Sequence, residues 1–200
     1  MLYLITNRKL IKQSDLYTVV KESVIGGVDV VILREKDLLT KELLEVATEL
    51  KKITDYYNSK LIINNDIDIA KEINCFGFHI GVNQLNKVED SLLDYKGKVG
   101  VSVHNLDEVA LAKKFQPDYL LASHIFTTDC KKGLKPKGLK LIEDIKKITD
   151  IPIIGLGGIN EKNAKDVLLY GAKGIAVMSY IMASDKPYNS AKKIKESYKA

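Results

Sequence analysis

Two hundred residues with a net charge of +5, 46% hydrophobic and 28% charged, are an ordinary globular mixture, large enough for one domain with a full core. Lysines are spread through helix-like stretches such as KELLEVATELKK, there is no Trp and no basic-aromatic stripe, so a nucleic-acid partner is not expected. No run approaches the roughly 18 apolar residues of a membrane span, so no membrane partner is expected either.

The first segment, MLYLITNRK, has no basic residues before its apolar ones and reads as a strand rather than a signal peptide. Apolar, β-branched runs then recur along the chain: LYLIT (2–6), DVVIL (29–33), KLIIN (60–64), FGFHI (76–80), KVGVSV (98–103), DYLLA (118–122), IPIIGL (151–156) and GIAVM (174–178). Between most of them lie segments of helical period: SDLYTVVKESVIGG, KELLEVATELKKITDYY, LDEVALAKKF, GLKLIEDIKKIT and NEKNAKDVLLYG. The fourth unit is the weak one, and short helices are expected around FGFHI. Near-continuous apolar strands imply a parallel sheet covered on both faces. Eight such units close into a (β/α)8 TIM barrel spanning 1–200, with an open doubly wound sheet as the alternative. Cys75 and Cys130 stand far apart without metal-ligand spacing, which predicts free thiols, no structural metal and a cytoplasmic location. Composition leaves the oligomeric state open, a homo-oligomer included.

Chemistry in such a barrel gathers at the C-terminal ends of its strands. Those ends carry Arg34, Glu35 and Lys36; Asn64 and Asn65; Ser102 and His104; and Ser123, His124, Thr127 and Thr128. The loop after DYLLA continues through Cys130 and Lys131, the latter suited to clamp a phosphate. Gly157 and Gly158 after the seventh strand, with Met178 and Ser179 after the eighth, predict a phosphate site built on backbone N–H groups. The bland reading of these glycines is that they make tight turns. His79, inside a strand, reads more readily as a lining histidine than as a catalyst.

The segments ILREK (32–36), LIINNDIDIA (61–70), GFHIG (77–81), VGVSVHNLDEVALA (99–112), SHIFTTDCKKG (123–133) and IPIIGLGGI…GIAVMS resemble, in order and spacing, the thiamine phosphate synthase/TenI superfamily of small barrels. The resemblance implies one of two activities. The synthase branch joins hydroxymethylpyrimidine diphosphate to a thiazole phosphate with magnesium, expelling pyrophosphate. Its pattern has Gln where this chain has Ile32, and metal-binding Asp where it has Asn65 and Gln84. Magnesium on a diphosphate is normally held through one or two carboxylates, so these amides weaken that reading.

The TenI-like branch is similar to HIFTTDCKKG at 124–133. The resemblance therefore implies an isomerase: a thiazole tautomerase in which His124 moves a proton on a carboxythiazole phosphate, without metal or cofactor. Arg34, Lys36, Asn64, Ser102, His104, Thr128 and Lys131 would contact the substrate, with its phosphate on Gly157, Gly158, Met178 and Ser179. The alternatives are the synthase, with magnesium, and a non-catalytic phosphate-binding regulator.

Overall fold

The computed structural model describes residues 1–128 and 133–198. Eight parallel strands close into a barrel in sequence order. They are β1 (Leu2–Ile5), β2 (Val30–Leu33), β3 (Lys60–Asn64), β4 (Gly77–Gly81), β5 (Lys98–Val103), β6 (Tyr119–Ser123), β7 (Ile153–Leu156) and β8 (Gly174–Val177). Closure is made by β1 against β8, with Leu4 opposite Val177. Each expected strand is present, displaced by no more than two residues at either end.

Successive strand residues point to opposite faces, and here both faces are dry. One set (Tyr3, Ile5, Val30, Ile32, Ile62, Tyr119, Leu121, Ile154 and Ala176) forms the cluster inside the barrel. The alternate set, including Leu4, Val31, Leu33, Ile63 and Val101, joins the outer core beneath the helices. This double burial is why the strands read as unbroken apolar runs.

The helices follow amphipathic spacing and local caps. The Asp15 side chain accepts from the N–H groups of Tyr17 and Thr18 to start α1 (Leu16–Ile25). In α2 (Thr40–Tyr56), Leu43, Ala47, Leu50 and Thr54 form the buried stripe. Each leucine on it contributes about 1.5–3 kcal/mol by burial. The fourth unit is indeed irregular: α3 (Ile67–Glu72) and α4 (Glu89–Leu93) are short, and a 3-10 helix, Val82–Lys87, precedes α4. Asn105 caps α5 (Leu106–Lys113) by accepting from Glu108 N–H, and α6 (Lys140–Ile148), α7 (Ala164–Leu169) and α8 (Ser179–Met182) follow. The sequence patterns mark no element beyond Ser179. The structure adds α9 (Pro187–Glu196), started by a proline in its first turn and packed on α1 through Ala191 and Ile194.

No helix among the described residues is long and apolar enough to cross a membrane.

Candidate active site

Inward parity carries the interior set up to the barrel mouth: Arg34 lies two residues beyond Ile32, Asn64 two beyond Ile62, and Ser123 two beyond Leu121. The three adjacent charges after β2 separate into two jobs. Glu35 is buried and accepts from the backbone N–H of Arg8 at 3.0 Å and from its guanidinium at 3.1 Å. The same guanidinium grips Asp37 at 2.7 and 2.9 Å, holding that carboxyl well below the usual range. Both acids are thus spent on tying the loop after β1 to the loop after β2. Arg34 is left half-buried, its N–H donating to the Thr6 hydroxyl at 2.9 Å, with no ion-pair partner among the described residues. Lys36 is exposed.

Beneath Arg34 lies a hydrogen-bonded trio inside the barrel. His79 sits opposite Asn64 on one side and Gly100 on the other. Its Nδ1 is 2.9 Å from the Tyr119 hydroxyl and its Nε2 is 2.8 Å from the Ser102 hydroxyl. Burial, reinforced by the charge of Arg34, pushes the His79 pKa down to about 3, so the ring is neutral at physiological pH. The sequence reading left His79 without a role and did not single out Tyr119 or Thr6. The available signal was parity: His79 lies two residues from Gly81 in a strand whose alternate positions face inward.

The glycine pair after β7 adopts positive φ, 105° at Gly157 and 65° at Gly158. Side chains there would overlap His124 and Thr127, because residues 124–127 lie directly on this turn. Ile125 N–H donates to Leu156 O and Phe126 N–H to Gly157 O, both at 2.9 Å. Close packing therefore explains the glycines independently of any ligand. Met178 packs on the interior cluster, and Ser179 is the first residue of α8.

His124 is the first residue after β6. It is only 3% exposed, its Nδ1 has no hydrogen-bond partner among the described residues, and its Nε2 is 3.3 Å from the Leu134 carbonyl. The returning chain seals it in, Lys137 N–H donating to His124 O at 3.0 Å. His104 is taken up by Glu108, which accepts from both its ring Nδ1, at 2.9 Å, and its backbone N–H, at 2.8 Å. Thr128 is half-buried beside the loop, while Lys131 and Cys130 lie outside the described residues.

The residues at the implied metal position do not fit magnesium. Asn65 is exposed with φ of 69°, and its N–H donates to His79 O at 2.8 Å. Gln84 is exposed in the 3-10 helix. Both offer neutral amides. The neighbouring carboxylate, Asp66, is occupied in capping α3 through Ile69 N–H. No cluster of three or more His, Cys, Asp or Glu able to hold a metal occurs among the described residues.

A closed eight-stranded parallel barrel with short loops and a polar, cation-bearing mouth defines a small TIM barrel. Within that class the chain belongs to the thiamine monophosphate synthase family, whose model matches residues 2–181. It is 41% identical to a thiamine-phosphate synthase of Clostridium acetobutylicum, over 96% of this chain and 91% of that protein. A thiamine-phosphate synthase of Clostridium botulinum is 40% identical over 92% of this chain and 91% of its own length. Among solved structures, a thiamine phosphate pyrophosphorylase from Pyrococcus furiosus superposes with a TM-score of 0.84 at 28% identity, covering 99% of this chain and 95% of that one.

These relatives overturn the expected isomerase. At about 40% identity over nearly the whole chain they carry the synthase name, so the likeness of one loop to the tautomerase branch does not define the activity.

Proposed function

We propose that this chain is a transferase of thiamine biosynthesis that couples hydroxymethylpyrimidine diphosphate to a thiazole phosphate. In that reaction the C–O bond from the pyrimidine's methylene carbon to the diphosphate breaks, and pyrophosphate leaves with the electron pair. The thiazole ring nitrogen donates its lone pair to the same carbon, forming the C–N bond and taking on the positive charge. No proton has to move. The demand on the protein is to hold two anions in line and to stabilise charge growing on the leaving group.

Arg34 is the observation that carries this reading, together with the names of the relatives. A half-buried guanidinium without an ion-pair partner among the described residues, above a neutral imidazole, is suited to an anionic oxygen. Arg34, Lys36, Asn64, Ser102, Thr128 and Lys131 form the diphosphate side in this proposal. Gly157, Gly158, Met178 and Ser179 form the seat of the thiazole phosphate. His104 drops out, because Glu108 already holds it. The neutral amides of Asn65 and Gln84 favour coupling in which side-chain cations, rather than a carboxylate-held metal, offset the diphosphate charge. A cytoplasmic setting accords with the free, buried thiol of Cys75.

The test incubates purified protein with both substrates, in magnesium and separately in excess EDTA, following thiamine phosphate and pyrophosphate. Equal product in both is expected. Product only with magnesium would remove the metal-free part, and absence of product in either would remove the synthase reading.

A further inference from the structure

We infer that His79 is a positioning residue: Tyr119 locks it as the Nε2–H tautomer, and that tautomer makes the Ser102 hydroxyl a donor toward an anionic oxygen at the barrel mouth. The first half concerns the protein alone; the second rests on the proposed phosphorylated substrate.

Tyr119 decides the tautomer. Its side chain is buried in the barrel interior, and its hydroxyl has His79 Nδ1, at 2.9 Å, as its hydrogen-bond partner among the described residues. Burial keeps the phenol far above its ordinary pKa, so the oxygen retains its proton. If Nδ1 carried a proton too, two donors would face each other unless the phenol proton turned away into apolar surroundings. A buried donor left without an acceptor costs roughly 1–3 kcal/mol, enough to decide between tautomers of similar intrinsic energy. Nδ1 is therefore the acceptor. A neutral imidazole then bears its one proton on Nε2.

Nε2–H points at Ser102 Oγ, 2.8 Å away, and takes one of its lone pairs. The Ser102 proton cannot also lie on that line, so it is directed elsewhere. Space for a ligand exists beside it: Gly81 is in register with Ser102, and a Cβ added at Gly81 would meet nothing within 4 Å. Strand register brings Arg34 to the same end of the barrel: Leu33 is opposite Ile63, and the residues that follow them, Arg34 and Asn64, lead across to His79, which is opposite Asn64. The Tyr119–His79–Ser102 chain thus converts a rotatable hydroxyl into an oriented donor, with reorganisation removed before the ligand arrives.

The test uses the full-length protein, labelled with 15N, and imidazole NMR spectra assigned with His79→Gln. His79 should show a protonated Nε2 and an unprotonated Nδ1, unchanged from pH 5 to pH 8. A protonated Nδ1 in the native protein overturns the proposal. Tyr119→Phe, which keeps the ring, should release the tautomer lock and weaken binding of inorganic pyrophosphate. Ser102→Ala should weaken it by roughly tenfold or more, the scale of one hydrogen bond to a charged group. In the Ser102→Ala background, Tyr119→Phe should add no further loss. Full pyrophosphate affinity in Ser102→Ala, or additive losses in the double variant, would also overturn it. A locked tautomer with coupled losses, in a protein that forms no thiamine phosphate, would support this inference and remove the synthase reading alone.

Discussion

The ring of Tyr119 fills the space that a side chain at Gly100 would need, so a β-carbon there would overlap its phenol carbons and oxygen. The two residues face each other in register across β5 and β6. A glycine in a strand interior lowers β propensity, yet here it admits the aromatic side chain that hydrogen-bonds His79.

Gly100→Ala is expected to destabilise the barrel by about 1–3 kcal/mol, the usual cost of overpacking a filled core. Urea unfolding measures this. The same variant should perturb the His79 ring signals, because the phenol must shift to admit the methyl group.

Arg34→Gln removes the charge while leaving the backbone N–H to Thr6 in place. Thermal stability should change little, since no ion pair among the described residues is lost. Affinity for pyrophosphate should fall by roughly tenfold to a hundredfold, the range for a charge-assisted hydrogen bond. Titration calorimetry compares the two proteins, and unchanged affinity would place the anion elsewhere.

Stability toward acid should carry the mark of His79. In the unfolded chain its proton binds near the ordinary value of 6.5, but in the folded protein only near 3. The unfolded state therefore takes up more protons through that window. The contribution of His79 is complete above about pH 6.5 and is lost as pH falls toward 3, by at most a factor of ten in the folding equilibrium per pH unit. His79→Gln should flatten the decline between pH 6 and pH 4 relative to the native protein, read from urea midpoints. Several carboxyls held low, among them Asp37 and Glu161, titrate in both proteins and cancel in the comparison.

Much of the barrel was legible because burial on both faces leaves a plain record. Runs such as VVIL and LIIN can persist only where each alternate residue has an apolar neighbour, and eight of them at even spacing admit few topologies. Helix α9 carries little sequence signal because PYNSAKKIKE is lysine-rich with few apolar residues, and its burial on α1 through Ala191 and Ile194 is a tertiary contact. The strand-end rule brings Arg34, Asn64 and Ser102 to the end of the barrel where their strands finish, but does not say which charges are already engaged. Arg8, far from Glu35 in sequence, settles that.

The burial of His124 is likewise a tertiary matter, since the chain returns over it with Lys137 and Gly138 donating to the carbonyls of His124 and Ile125. Loop closure of this kind depends on where the chain turns back, and residue type does not encode it.

The order of residues alone determined the eight-stranded parallel barrel and its family likeness, because hydrophobic periodicity and turn chemistry act over short stretches. Only the folded arrangement decided which polar groups are spent on one another and which still face the mouth. Hydrogen bonds and ion pairs form between atoms brought within about 3 Å, and Tyr119, His79 and Ser102 reach that separation only after the barrel has closed.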